Sequence, residues 1–223
     1  MFAIVAIGFT CCNMSVNKNR HVRDGETINA GPKTVNGNIS IGNHSKVTGS
    51  SSTVNGSIEV GSDSEVEDLQ TVNGSVEIGK KTVVDGSVEV VNGDITCSED
   101  VKVKEEITSV NGAITCNTGC SVDKDITNVN GSIILKGTTV KRDVSTNTGN
   151  ITISQKSIVN GNIVVKKSHS LNMKRRTLII TISDNSIVKG NIIVKEDSLE
   201  VTVFLYKGSK IEGKVDGAQV IEK

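Results

Sequence analysis

Large aromatic side chains are nearly absent from this chain of 223 residues, which has no Trp, one Tyr and three Phe. An ordinary globular core of this size needs more large apolar groups, whereas a solenoid fills a narrow column with Val and Ile that neighbouring turns enclose. Proline occurs once, at Pro32, which suits stacked strands because proline removes a ladder donor. The formal net charge is zero, and this balance argues against a nucleic-acid partner.

A short phrase ending in Asn-Gly recurs at nearly fixed spacing between residues 34 and 145. The glycine-to-glycine steps are 19, 18, 19, 19 and 19 residues. A fixed period indicates a repeat architecture, and helical repeats need more than about 30 residues. One turn of a β-solenoid therefore fits the spacing better. The six copies are Thr34–Gly37, Thr53–Gly56, Thr71–Gly74, Val90–Gly93, Ser109–Gly112 and Asn128–Gly131.

Each turn contains short runs in which apolar and polar residues alternate, which is typical of a strand with one buried face. Each run is too short to stand alone but becomes part of a parallel sheet when it stacks on its copies at about 4.8 Å. The sequence therefore predicts an all-β fold, a single-stranded parallel β-helix (β-solenoid) with about 19 residues per coil. In the fifth copy, the residues expected in the inward columns are Val110, Ile114, Cys116, Val122 and Ile126.

The Asn-Gly pair predicts a tight corner, because Gly takes positive φ without steric cost and Asn tolerates it. A hairpin is the usual meaning of Asn-Gly, but the pair recurs once per coil and not between matched strands. Aligned asparagines are expected to form a ladder of amide hydrogen bonds along the axis. The phrase returns at Val159–Gly161, only 12 residues after Asn147-Thr148-Gly149, which indicates a shortened turn or an offset register. The predicted ladder and corner residues are Asn36, Gly37, Asn55, Gly56, Asn73, Gly74, Asn92, Gly93, Asn111, Gly112, Asn130, Gly131, Asn160 and Gly161.

Residues 1–12 form an apolar run that ends in two cysteines. The run is too short to span a bilayer but suits the apolar region of an export signal. We expect a lipoprotein leader with Cys11 or Cys12 acylated, which would anchor the protein to a membrane of the cell envelope, facing the periplasm or the surface. The alternatives are another exported form or, if the run is not a signal, a buried N-terminal strand of a cytoplasmic protein. Residues 13–32 are predicted to be a tether and N-terminal cap, and residues 33–223 the solenoid, with an inserted loop at 168–176 and closing coils after it.

Three further cysteines lie inside the repeats. Cys97 and Cys116 share an inward column, and Cys120 lies near a turn. They are interpreted as small core residues, with an inter-coil disulfide as the alternative in an oxidising compartment, although parallel Cβ vectors strain such a bond. No metal site or cofactor is predicted, because the coils that carry these cysteines contain no His.

The phrase Val-Asn-Gly-Ser-Ile-Glu-Val-Gly at Val54–Gly61 and the closing Gly208–Val215 resemble the bactofilin-type, polymer-forming β-helical proteins. More closely, they resemble exported proteins of Gram-negative bacteria built from Val-Asn-Gly-Ser-Ile repeats. The resemblance covers roughly residues 34–215. It implies a right-handed β-helix and filaments formed by end-to-end contacts. The leader, the period and the inserted loop depart from the bactofilin pattern.

Four functions are compatible with these features. The first is a non-enzymatic, lipid-anchored envelope scaffold that self-associates through its terminal coils. The second is a surface binding module or adhesin for glycan or peptidoglycan. Two enzyme classes are less favoured. A polysaccharide-degrading β-helix would need a groove beside carboxylates such as Glu59 and Glu77, and a hexapeptide-type enzyme would need stacked histidines, which His21, His44 and His169 cannot supply.

Overall fold

A computed structural model describes residues 14–167, 176–196 and 198–223. Over these residues the chain is all-β and winds as a parallel β-solenoid, so the fold class predicted from the repeat is confirmed. Most coils contribute three short strands, one to each of three sheets. Among the described residues, no helix is long and apolar enough to cross a bilayer.

The three sheets, here called sheets A, B and C, run the length of the described solenoid. Sheet A contains β1 (Met14–Ser15), β4 (Lys33–Asn36), β7 (Ser51–Asn55), β10 (Leu69–Asn73), β13 (Val88–Asn92), β16 (Ile107–Asn111), β19 (Ile126–Asn130), β22 (Val144–Thr146), β25 (Ile163–Val165), β28 (Ile192–Val194) and β31 (Val215–Asp216). Sheet B contains β2 (Arg20–Val22), β5 (Ile39–Ile41), β8 (Ile58–Val60), β11 (Val76–Ile78), β14 (Ile95–Cys97), β17 (Ile114–Cys116), β20 (Ile133–Lys136), β23 (Ile151–Ser154), β26 (Arg176–Ile182), β29 (Leu199–Leu205) and β32 (Gln219–Glu222). Sheet C contains β3 (Thr27–Ile28), β6 (Lys46–Val47), β9 (Glu65–Val66), β12 (Val83–Val84), β15 (Lys102–Val103), β18 (Ser121–Val122), β21 (Thr139–Val140), β24 (Ile158–Val159), β27 (Ile187–Val188) and β30 (Lys210–Ile211).

Neighbouring coils stack in register, so each residue lies over its repeat equivalent. Ile95 pairs with Ile114, and Asn92 pairs with Asn111. The spacing departs from 19 near the C-terminus, where the sheet B partners Ile151 and Ile180 are 29 residues apart. That longer step contains the predicted inserted loop, of which residues 168–175 lie outside the described part of the chain.

The core is a set of stacked β-branched columns. In sheet B, Ile95, Ile114 and Ile133 are fully buried and lie one above another. In sheet C the column consists of valines such as Val103 and Val122. Each of these side chains is covered by its equivalents in the coils before and after it, which explains how a chain with so few aromatics encloses a core.

The valine of the repeated phrase does not belong to this core, contrary to the sequence interpretation. In the third copy, Thr71 is fully buried, whereas Val72 is half-buried on the outer face of sheet A. The reason is the alternation of the strand, in which buried and outer positions follow each other, so the residue after Thr71 faces outward. A threonine at the inward position also reaches a glycine carbonyl of the preceding coil. The Thr71 hydroxyl donates to Gly56 O at 2.9 Å, and Thr53 donates to Gly37 O at the same distance.

The solenoid already includes residues that precede the first Asn-Gly phrase. Strands β1, β2 and β3 pair in parallel with the coil that begins at Lys33. Residues 14–32 therefore form a coil of their own. The predicted leader, including Cys11 and Cys12, lies outside the described residues.

Candidate functional site

The most regular feature of the surface is a ladder of asparagine side chains at the corner between sheets A and B. Each Nδ2 donates to the Oδ1 of the asparagine one coil earlier, at 2.7 Å for Asn55 to Asn36 and 2.9 Å for Asn92 to Asn73. The full series of bonds links Asn17, Asn36, Asn55, Asn73, Asn92, Asn111 and Asn130.

Both ends of this asparagine ladder differ from its middle. Asn17 begins it, and sequence reasoning missed this residue because Lys18 replaces the usual glycine. The available signal was the pair Val16-Asn17, which precedes Val35-Asn36 by one period. At the other end Thr148 takes the place of an asparagine, and its hydroxyl donates to Asn130 Oδ1 at 2.8 Å.

Asn160 and Gly161 were expected in the ladder, but the structure places them at a different corner. Val159 pairs with Val140 in sheet C, so Asn160 follows sheet C and not sheet A. Its backbone N–H donates to Val140 O. The register offset considered from the sequence therefore applies, and the turn is not shortened. The Val-Asn-Gly phrase at residues 159–161 lies at a different corner from its copies in the ladder, because the strand that the phrase follows sets its position in the coil.

The glycine of the phrase is required by its backbone conformation and by close stacking. Gly93 has a φ of 147°, within the positive range that residues with a side chain rarely adopt. A Cβ on Gly93 would collide with the carbonyl oxygen of Gly74 in the preceding coil. The corner is thus a place where backbone lies directly on backbone.

A stripe of outward valines runs beside the ladder on sheet A. Val16 is 57% exposed, and the remaining members are half-buried. An apolar stripe on a surface is a candidate contact site. Burial at this face also raises the pKa of Glu89, whose carboxylate accepts a hydrogen bond from Ser87. The valine stripe consists of Val16, Val35, Val54, Val72, Val91, Val110 and Val129.

The cysteines in the coils are buried free thiols. Cys97 and Cys116 are register partners in sheet B, and their mutual hydrogen bond together with burial raises the pKa of Cys97 well above its ordinary value. Burial raises the pKa of Cys120 to about 12, and its thiol donates to Ser98 O at 2.9 Å. Cys97 and Cys120 are therefore held as neutral thiols, which makes them poor nucleophiles.

The carboxylates of interest for catalysis, Glu59 and Glu77, are register partners on the outer face of sheet B. Both are exposed on a flat strand surface. His21 lies in the same outward column over Ser40, whereas His44 lies in a turn beside Asp63. Within the described ranges, no group of three or more His, Cys, Asp or Glu residues is arranged to hold a metal ion.

Comparison with known proteins leaves the function open. No family model, curated protein or solved structure matches the chain.

Two further places complete the set of candidate surfaces. An open groove of about 450 Å³ lies where the ladder stops, and its lining includes Asn130, Thr148 and Thr177. At the C-terminal end, Val220 lies in the inner column above Val203 but is 39% exposed, because nothing in the described chain stacks on it. Lys223 Nζ lies 4.3 Å from the centre of the Phe204 ring beside this rung.

Proposed function

We propose that this protein is a non-catalytic structural β-solenoid of the cell envelope that self-associates through its terminal coil. The observation that carries the proposal is the uncovered last rung. Strands β30, β31 and β32 each pair on one side only within the described chain. Val220 and the half-buried Ile211 and Val215 continue the core columns to this surface.

An end of this kind favours the addition of another chain. The free N–H and C=O groups of an edge strand are a template for pairing. In the interior, Val203 is fully buried because a further coil covers it, and Val220 would gain the same cover from a second chain. The repeated geometry supports a scaffold role as well, since its outward columns are flat. The side chains of Lys46 and Lys141 also form ion pairs with carboxylates of adjacent coils, at 2.7 and 2.8 Å.

Electron microscopy and light scattering of the protein lacking residues 1–12 test self-association. We expect assemblies whose formation Val220→Lys abolishes. Val72→Lys, in the middle of the valine stripe, is the matched control and should assemble normally. A monodisperse single chain at all concentrations would contradict the proposal. Assemblies that Val72→Lys abolishes and Val220→Lys leaves intact would move the contact to the stripe.

Anchoring by lipid is a separate part of the proposal, and it rests on the apolar run that ends at Cys11 and Cys12. Metabolic labelling with a fatty-acid analogue in a bacterial host tests it. Label should enter the full chain and be lost when the acylated cysteine is changed to Ser. If the label is absent from the full chain, the anchor is wrong.

A second candidate is a binding module for glycan, which the polar groove at the end of the asparagine ladder favours. Hydroxyl and amide side chains line it, including Ser132, Asn150 and Thr177, and such groups hydrogen-bond to sugar hydroxyls. Co-sedimentation with purified peptidoglycan tests this function. Binding that is lost on deleting residues 168–175, while the far-UV spectrum is kept, would support it.

A further inference from the structure

Each of the six repeated asparagines precedes a glycine, and this pair has its own chemistry. The glycine nitrogen can attack the Asn side-chain carbon, since no glycine side chain hinders it. The new C–N bond closes a succinimide ring as the Cγ–Nδ2 bond breaks, and the proton from the glycine N–H leaves with ammonia. One water then opens the ring to aspartate or isoaspartate.

Five of the six pairs are held in a way that opposes this attack. Their glycine N–H groups donate to the carbonyl of the asparagine one coil later. The distances are 3.0 Å for Gly37, 2.9 Å for Gly56 and Gly74, 2.8 Å for Gly93 and 3.1 Å for Gly112. The nitrogen that would attack is thereby fixed in the stack.

Gly131 is the exception. Its N–H donates no hydrogen bond to any residue in the described part of the chain. The next coil turns differently there, because Gly149 N–H bonds locally to Thr146 Oγ1 at 2.9 Å and Thr148 N–H bonds back to Val129 O. The carbonyl that would receive the Gly131 N–H is therefore not presented to it.

Two more observations concern the same pair. Asn130 is the last asparagine of the ladder. Its Oδ1 accepts a hydrogen bond from the Thr148 hydroxyl, whereas the Oδ1 of each earlier asparagine accepts from a side-chain amide. Asn130 and Gly131 also line the open groove at the end of the ladder. A glycine nitrogen without a hydrogen bond and a hydroxyl in place of the amide partner coincide at one of six chemically similar sites.

We propose that Asn130 is the ladder residue that deamidates in the folded protein. The reaction replaces Nδ2, which donates to Asn111 Oδ1 at 3.0 Å, with an oxygen that cannot donate. The isoaspartate product also inserts a backbone methylene group next to Gly131. The change lies at the C-terminal end of the asparagine ladder.

Peptide mapping of the intact chain after storage at mildly alkaline pH tests this inference. Electron-transfer fragmentation separates Asn130 from Asn128 in the same peptide. We expect Asn130 to deamidate about fivefold faster than Asn73 and Asn92. At those two sites the glycine N–H must first break its hydrogen bond, and the net free energy of one such bond lowers the reactive population about fivefold. Equal rates at the three sites, or a faster rate at Asn73 or Asn92, would overturn the proposal.

Two controls separate the fold from the local sequence. In guanidinium the six pairs should react at similar rates, and persistence of the Asn130 excess there would assign it to sequence and refute the structural cause. Thr148→Val removes the hydroxyl that holds Asn130 Oδ1, so it should raise the rate at Asn130 and leave Asn73 unchanged. No change at Asn130 in that variant would also count against the proposal.

Discussion

Removing one amide from the middle of the asparagine ladder should destabilise the protein by an amount that the geometry defines. Asn92 takes part in two ladder bonds, since it donates to Asn73 at 2.9 Å and accepts from Asn111 at 2.8 Å. The ladder is exposed, so Asn92→Ala leaves neighbours that water can satisfy and no buried polar group is stranded. Two bonds with a net value of roughly 0.5–1.5 kcal/mol each, taken toward the low end, give a loss of about 1–2 kcal/mol.

The repeat supplies a matched control for this substitution. Asn160 sits in the same Val-Asn-Gly phrase but outside the ladder, and its side chain makes no hydrogen bond with the described residues. Asn160→Ala should therefore change stability by less than about 0.5 kcal/mol. Thermal unfolding followed by circular dichroism distinguishes them, because Asn92→Ala should lower Tm by about 2–8 °C for a chain of this size.

A double variant sharpens the test. Asn73→Ala and Asn92→Ala share one bond, so the pair removes three ladder bonds where the two single variants together count four. The double loss should fall short of the sum by the value of one bond, about 1 kcal/mol. Equal stability of Asn92→Ala and Asn160→Ala, or strict additivity of the double variant, would refute a ladder that stabilises the fold.

Two further predictions concern the corners and the thiols. Gly93→Ala should cost several kcal/mol, because its Cβ meets the Gly74 carbonyl. Gly25→Ala, with φ at 70° and nothing near the new Cβ, should cost only about 1–2 kcal/mol in backbone strain. Similar denaturation midpoints for the two variants would contradict the stacking argument. The Cys120 thiol has a folded pKa of about 12 against an ordinary value of 9.0, so its contribution to stability is complete below pH 9 and is lost as pH rises toward about 12. Cys120→Ser keeps a donor for Ser98 O and removes this titration. Its unfolding free energy, measured by urea denaturation, should therefore fall less steeply with pH between 9 and about 12 than that of the parent chain. The same pH slope in both chains would disprove the raised pKa of Cys120.

The period alone predicted the solenoid, since each coil must bury its apolar face against a copy of itself. Which residues face inward at the corner was harder to predict. Val72 and Thr71 are neighbours, and hydropathy favours the valine as the core residue. The structure reverses them because Leu69, two residues before Thr71, faces the core, and strand alternation then places Thr71 inward and Val72 outward.

Register shows the same limit of sequence reasoning. The phrase at Asn160 is identical to those in the ladder, yet it follows a sheet C strand. The ladder ends at Asn130 because the coil that follows substitutes Thr148. The candidate surfaces were harder still to predict from the sequence. The groove beside Asn130 depends on how the irregular coil after it turns, and the exposure of Val220 depends on which described coil is the last of the stack.

Because each coil adds a constant rise, the number of coils sets the length of the solenoid. Eleven strands in sheet A, counted over the described residues, span ten intervals of about 4.8 Å, so the stack is roughly 50 Å long. Deleting one phrase together with its coil would shorten that distance by a single interval and leave the width unchanged. A chain built in this way can set the separation between whatever its two extremities hold simply by the number of copies it carries.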